Sequence, residues 1–135
     1  IDAFGSLFSI PFHLTTIEAV KHVHRVLKKD GVVIVNIGSA ITDSAGRFLR
    51  AESKTYQAVF PTSLILKVHP EKGDAELQNL VLVAFAVPPS AVCPKEEAAI
   101  LLNPLYLQDI GAADVLTDDL APVEHFNSVA LDDFR

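Results

Sequence analysis

The stretch LKKDGVVIVNIGS, residues 27–39, carries the two signals that decide the fold. Lys28-Lys29-Asp30-Gly31 reads as a helix stop, because cations suit the negative end of a helix dipole and Gly31 can adopt the left-handed conformation. The β-branched run from Val32 to Ile37 then opens a strand at once. It shows no polar alternation until Asn36, the pattern of a parallel strand covered by helices on both faces. Upstream, Ile17, Val20, Val23 and Leu27 form an apolar stripe between polar Lys21, His22 and Arg25, which predicts an amphipathic helix over Thr15 to Leu27. Thr15 and Glu18 have capping-box spacing.

Downstream, Thr42, Asp43 or Ser44 can cap a second helix whose apolar set is Phe48, Leu49, Tyr56, Val59 and Phe60, ending before Pro61. Ser63 to Val68 and Leu77 to Phe85 read as two strands. The link from His69 to Glu76 is too short for a parallel crossover, so they are expected as an antiparallel hairpin. Beyond Pro88-Pro89 the pattern weakens: a short helix is expected from Pro94 to Leu102, then an irregular tail interrupted by Pro104, Gly111 and Pro122. Residues 1–135 are read as one domain, with 88–135 its less regular part.

Half of the residues are apolar, which suggests a face made to be covered by something else. The sequence starts at Ile1 and contains no methionine, so it is expected to be a portion of a longer polypeptide. A net charge of −6 opposes a nucleic-acid partner, whose binding rests on Lys and Arg displacing counterions. The longest strongly apolar run, Leu80 to Val87, falls far short of the roughly 20 residues needed to cross a bilayer. The single cysteine, Cys93, excludes an internal disulfide and fits a reducing cytosol, so a cytoplasmic protein without a membrane anchor is expected.

Three strings carry a family resemblance: IDAFGSLFSIPFHLTTIEAV (1–20), LKKDGVVIVNIGS (27–39) and LTDDLAPVE (116–124). Together they resemble spermidine-synthase-like proteins, the polyamine aminopropyltransferases related in fold to class I AdoMet-dependent methyltransferases. Asp2, Pro11, Leu14, Asp30 and Gly31 fit that family's landmarks: an aspartate at the tip of the fourth strand, a proline and leucine before the next helix, and a D-G step into the fifth strand. The resemblance covers the chain to about Phe85 and resumes near Leu116. It implies an α/β fold: the C-terminal portion of a Rossmann-like sheet, with a parallel central strand and a C-terminal antiparallel hairpin, flanked by helices.

The same resemblance implies a transferase acting on a small-molecule amine or other acceptor, with AdoMet or decarboxylated AdoMet as donor in the parent protein. Asp2 is the candidate catalytic residue, a carboxylate at a strand's carboxyl end where open α/β sheets place their ligands. The family's acidic D-x-x-D-P motif is incomplete here, since Gly5 replaces the second acid. A dication such as putrescine loses an ionic partner worth about 1.5–3 kcal/mol. No two glycines lie close enough to form a nucleotide-cradling turn, so this portion alone is not expected to bind the donor or to be active.

The other polar residues read more plainly. Asn36, Ser39 and Asp43 could face the same crevice, but turns and caps are their ordinary use. Asp118 and Asp119 are adjacent without further ligands and make a poor cation cage, so they read as a solvated loop. His22 and His24 are two apart on a helix and cannot chelate one metal. Cys93 has no CxxC partner and reads as a small buried hydrophobe. Two functions stay open: the acceptor side of a transferase, or a binding module that keeps the fold without the chemistry. A homodimer through an exposed sheet edge or helix face is expected.

Overall fold

The computed structural model of the chain describes residues 11–88, 106–107 and 110–132. Helix α1 spans Ile17–Val26 and buries Val20, with Val23 and Leu27 packed beside it. Its cap is Thr16, one residue later than expected, whose hydroxyl accepts from the Ala19 amide at 3.3 Å. Thr15 is instead wholly buried and donates to the Phe12 carbonyl at 2.7 Å, closing the 3-10 turn Phe12–Leu14. Glu18 does not complete a capping box; its carboxylate accepts from the distant Asp118 amide at 3.1 Å. Tertiary structure has taken the acid that local spacing assigned to the cap.

The helix ends at Leu27 with extended backbone, φ −68° and ψ 149°. Gly31 is not left-handed; among the described glycines that conformation belongs to Gly111. What glycine supplies at 31 is room, because a Cβ there would stand 3.0 Å from both the Leu27 side chain and the Lys28 carbonyl.

Strands β1 (Val32–Ser39), β2 (Thr62–Lys67), β3 (Gln78–Phe85) and β4 (Tyr106–Leu107) form one sheet in the order β1-β3-β2-β4. The expected β2–β3 hairpin is present and antiparallel, with Leu64 opposite Val83. Strand β1 also pairs antiparallel with β3, Ile34 opposite Val83. Since β1 and β2 both oppose β3, they run parallel to each other on its two sides. A parallel pairing of β1 itself is not among the described ladders, where β1 stands at one end of the order.

Burial alternates along β1. Val33, Val35 and Ile37 are buried with Ile65, Leu80, Leu82 and Ala84, whereas Val32 and Ile34 are 41 % and 56 % exposed. Coverage of both faces, expected from the unbroken β-branched run, is therefore seen on one face. Val and Ile suit a strand whether its second face is already covered or is apolar and open, so the run cannot distinguish the two.

Helix α2, Arg47–Gln57, follows a 3-10 turn, Ser44–Gly46, and packs on the buried face against β1, β2 and β3. None of Thr42, Asp43 or Ser44 caps it; the cap position is Gly46, without a side-chain bond. Arg50 instead ties the turn before the helix to α2, donating to the Ile41 carbonyl (2.9 Å) and the Asp43 carbonyl (2.7 Å). The guanidinium leaves no space beside it: a Cβ on Gly46 would meet the Ile41 carbonyl at 2.5 Å and Arg50 at 2.6 Å. Phe48, Leu49 and Tyr56 are buried as expected, and Phe60 stacks on Tyr56 with ring centroids 5.8 Å apart. In the tail, Val123–Asp132 forms helix α3, an element that sequence reading did not place. Asp2, Gly5, Cys93 and the expected Pro94–Leu102 helix lie outside the described residues.

Candidate functional site

The strings around residues 12–20 and 116–124, about 100 positions apart in sequence, meet in space. Residues 116–118 form a strap across α1 and α2. The Leu116 carbonyl accepts from the Ile17 amide (2.8 Å), and the Leu116 amide donates to the Thr55 hydroxyl (2.9 Å). Asp118 accepts from the Thr16 hydroxyl at 2.6 Å, a short charge-assisted bond, while its amide reaches Glu18. Thr16 thus serves two partners, capping α1 through its lone pair and holding the strap through its proton.

The strap, the Phe12–Leu14 turn and the first turns of α1 enclose an open groove of about 780 Å³. Phe12, His13, Leu14, Glu18, Ala19, His22, Val23 and Asp118 line it. It continues past Phe12 and Asp118 toward Glu124 and His125 at the start of α3. Phe12 is 47 % exposed and meets the His13 ring edge-on at 5.7 Å. One oxygen each of Glu18 and Asp118 is engaged in the bonds above. The groove wall therefore combines two carboxylates, an aromatic ring and imidazoles, groups that receive a cation or an amine by charge, hydrogen bonding and ring face. No cluster of three or more metal-ligating side chains occurs among the described residues.

The sequence-predicted residues distribute as follows. Asp118, read as part of a solvated loop, is exposed but structurally committed through Thr16; Asp119 is exposed beside it. Ser39 is buried and donates to the Ala45 carbonyl at 3.2 Å, and Asp43 holds the one positive φ (57°) of a described non-glycine residue, at the turn into α2. Both act in the β1–α2 connection, as ordinary turn chemistry implies. His22 and His24 are exposed, and His24 packs edge-on against Phe60 at 5.0 Å. The catalytic candidate Asp2 lies outside the described residues, although Pro11 and Phe12 of the same string lead into the groove.

Sequence reading missed two residues. Glu18 was assigned to a cap and instead shares the groove. Glu52 was not singled out at all, yet it is wholly buried in α2 with both carboxylate oxygens lacking a hydrogen-bond partner. Its signal was present in the sequence: it stands four residues after Phe48 and four before Tyr56, on the apolar stripe itself.

No helix of the described residues is long and apolar enough to cross a membrane. No protein-family model matches the sequence, and no curated protein matches it. A solved structure does match: a probable spermidine synthase from Corynebacterium glutamicum, with a TM-score of 0.63 and 21 % sequence identity. The likeness covers 86 % of this chain and 44 % of that one, so the chain spans less than half the length of the protein it resembles. At that identity the likeness speaks for fold, and the chain has a spermidine-synthase-like fold of the general Rossmann-like class.

Proposed function

We propose that this chain is the acceptor-side, C-terminal portion of a spermidine-synthase-like transferase, moving an aminopropyl or methyl group from an AdoMet-type donor to an amine. The observation that carries the reading is the sheet: β3 runs antiparallel between two mutually parallel strands, within a fold shared with a probable spermidine synthase. In the parent, β1 would then be an interior strand with a parallel neighbour beyond it. The end position of β1 in the strand order leaves its outer edge for that neighbour, and the open apolar face at Val32 and Ile34 supports a second covering layer in the parent.

In such a transfer the acceptor nitrogen attacks the carbon bound to the donor's sulfonium. The new C–N bond forms as the C–S bond breaks, the thioether leaves, and the nitrogen sheds a proton. Asp2 is the proposed acceptor of that proton, and the groove acids Glu18 and Asp118 support the approach of a cationic substrate. With Gly5 in place of a second acid, a monoamine or a longer amine fits this reading better than putrescine. The same Gly5 replacement favours, as a second reading, a binding module that retains the fold without transfer. A homodimer is the proposed assembly, supported by exposed Val26 (77 %) on a helix face; a monomer at high concentration in sedimentation speaks against it.

The test uses the longest natural polypeptide that carries this sequence. It is incubated with AdoMet or decarboxylated AdoMet and a panel of amines, and the thioether product is followed by mass spectrometry. Transfer that falls by about 10²-fold or more in Asp2→Asn supports the proposal. Absence of both turnover and calorimetric binding with either donor selects the non-catalytic module.

A further inference from the structure

The charge-bearing group least accounted for by any of this is Glu52. Its side chain is completely buried among core residues, and neither carboxylate oxygen has a hydrogen-bond partner. A buried carboxylate that stays ionised requires a cation or several donors. Among the described residues, neither is supplied by the elements packed on α2. Strands β1 and β3 contain no ionisable side chain. Strand β2 contains one cation, Lys67, whose ammonium is committed to Asp74 (2.7 Å) and the Lys72 carbonyl (2.8 Å).

On α1 and α3 the charged and titratable side chains, His24 and Glu124 among them, are solvent-exposed. On α2 itself Arg50 is engaged by two carbonyls, Arg47 is exposed, and half-buried Lys54 makes no hydrogen bond to either Glu52 oxygen. Burial drives the Glu52 carboxyl well above the usual range. It also raises the Tyr56 phenol one turn on, and the Glu52 carboxylate adds to that rise.

We propose that Glu52 is a proton-operated latch: as a neutral acid it lets α2 seat on the sheet, and loss of its proton unseats the helix. The consequence reaches the site. Thr55, three residues along α2, holds the Leu116 amide of the strap whose Asp118 lines the groove. Arg50, two residues before Glu52, holds the β1–α2 connection at the strand's carboxyl end. Unseating α2 therefore loosens both the groove and the crevice rim.

The sign follows from linkage. A group whose folded-state pKa lies above its unfolded value binds an extra proton when folded. The stability it contributes is fully present below the unfolded value of 4.5 and is lost as pH rises toward the folded one.

The experiment compares the full chain with Glu52→Gln, which keeps the shape and cannot ionise. Urea unfolding is measured from pH 5 to pH 9, followed by far-ultraviolet circular dichroism. The folding constant of Glu52→Gln relative to the unsubstituted chain should rise about tenfold per pH unit above the ordinary glutamate range, until Glu52 itself ionises. Amide protection factors in α2, which correct for the intrinsic rise of exchange with pH, should fall over the same window in the unsubstituted chain alone. A ratio independent of pH overturns the proposal.

Should Glu52→Gln fail to fold, infrared spectra of the unsubstituted chain decide. With glutamate carboxyls isotope-labelled, a protonated glutamate band persisting at neutral pH supports the latch. Fully ionised glutamates at that pH overturn it.

Discussion

Glu52, within α2, and Asp118, bonded to the start of α1, are two acids with opposite environments. Asp118 is exposed, accepts from Thr16 at 2.6 Å, and its own amide is held by Glu18. Glu52 has no donor and no water access. A carboxyl group's chemistry follows from what surrounds it: the first is hydrogen-bonded and open to solvent, whereas burial raises the second well above the usual carboxylate range. The region around α2 is thus a dry interior, sensitive to packing and to pH. The strap over α1 is a wet, polar joint, sensitive to hydrogen bonding.

Substitutions separate the two regions. The largest effect is expected in the dry one: Leu49→Ala, at a site with no exposure, should cost about 2–5 kcal/mol in chemical denaturation. A cost below about 1 kcal/mol would mean that α2 is not packed as described. Next comes Gly46→Ala, where the added methyl meets backbone at 2.5 Å. It should lose about 1–3 kcal/mol, read as a lower unfolding midpoint, because the Ile41 carbonyl cannot move without releasing Arg50.

In the wet joint the expected changes are smaller. Thr16→Val removes both the α1 cap and the bond to Asp118, for about 1–2 kcal/mol. Combined with Asp118→Asn in a double-mutant cycle, it should show a coupling of about 1 kcal/mol. Strict additivity of the two changes would indicate that the strap is not joined through this pair. The smallest effect is assigned to Lys67→Met. Its ion pair with Asp74 spans a 12 % exposed and a 54 % exposed side chain, so screening holds its worth below about 1 kcal/mol. Raising the salt concentration should narrow the difference between this variant and the unsubstituted chain.

Much of the local structure was legible because local rules suffice for it. The stripe of α1, the β-branched run of β1 and the eight residues between the hairpin strands each imply one element. The caps were not legible. Thr15 and Thr16 are identical in type, and the choice between them depends on Asp118, more than 100 positions away. Glu18 had an acceptable local partner and found a better distant one. At α2 three polar residues offered themselves as caps. None of them caps it: the 3-10 turn moves the cap position on to Gly46, and Arg50 secures that turn by reaching two of the carbonyls leading into it at once.

The candidate site divides in the same way. Sequence supplied the resemblance, the strings that line the groove and the acidic character of its residues, and Asp2 rests on that resemblance. It could not bring Phe12, Glu18 and Asp118 to one wall, because nothing in either string records where the other goes. By itself the sequence determined the order and kind of the main elements, since hydrophobic periodicity and turn residues act over a few positions. Only tertiary structure decided which face of β1 is covered, which threonine caps α1 and which acid is sealed from water. Those are set by contacts between distant segments, and burial there changes the energy of a charge by more than any local preference can.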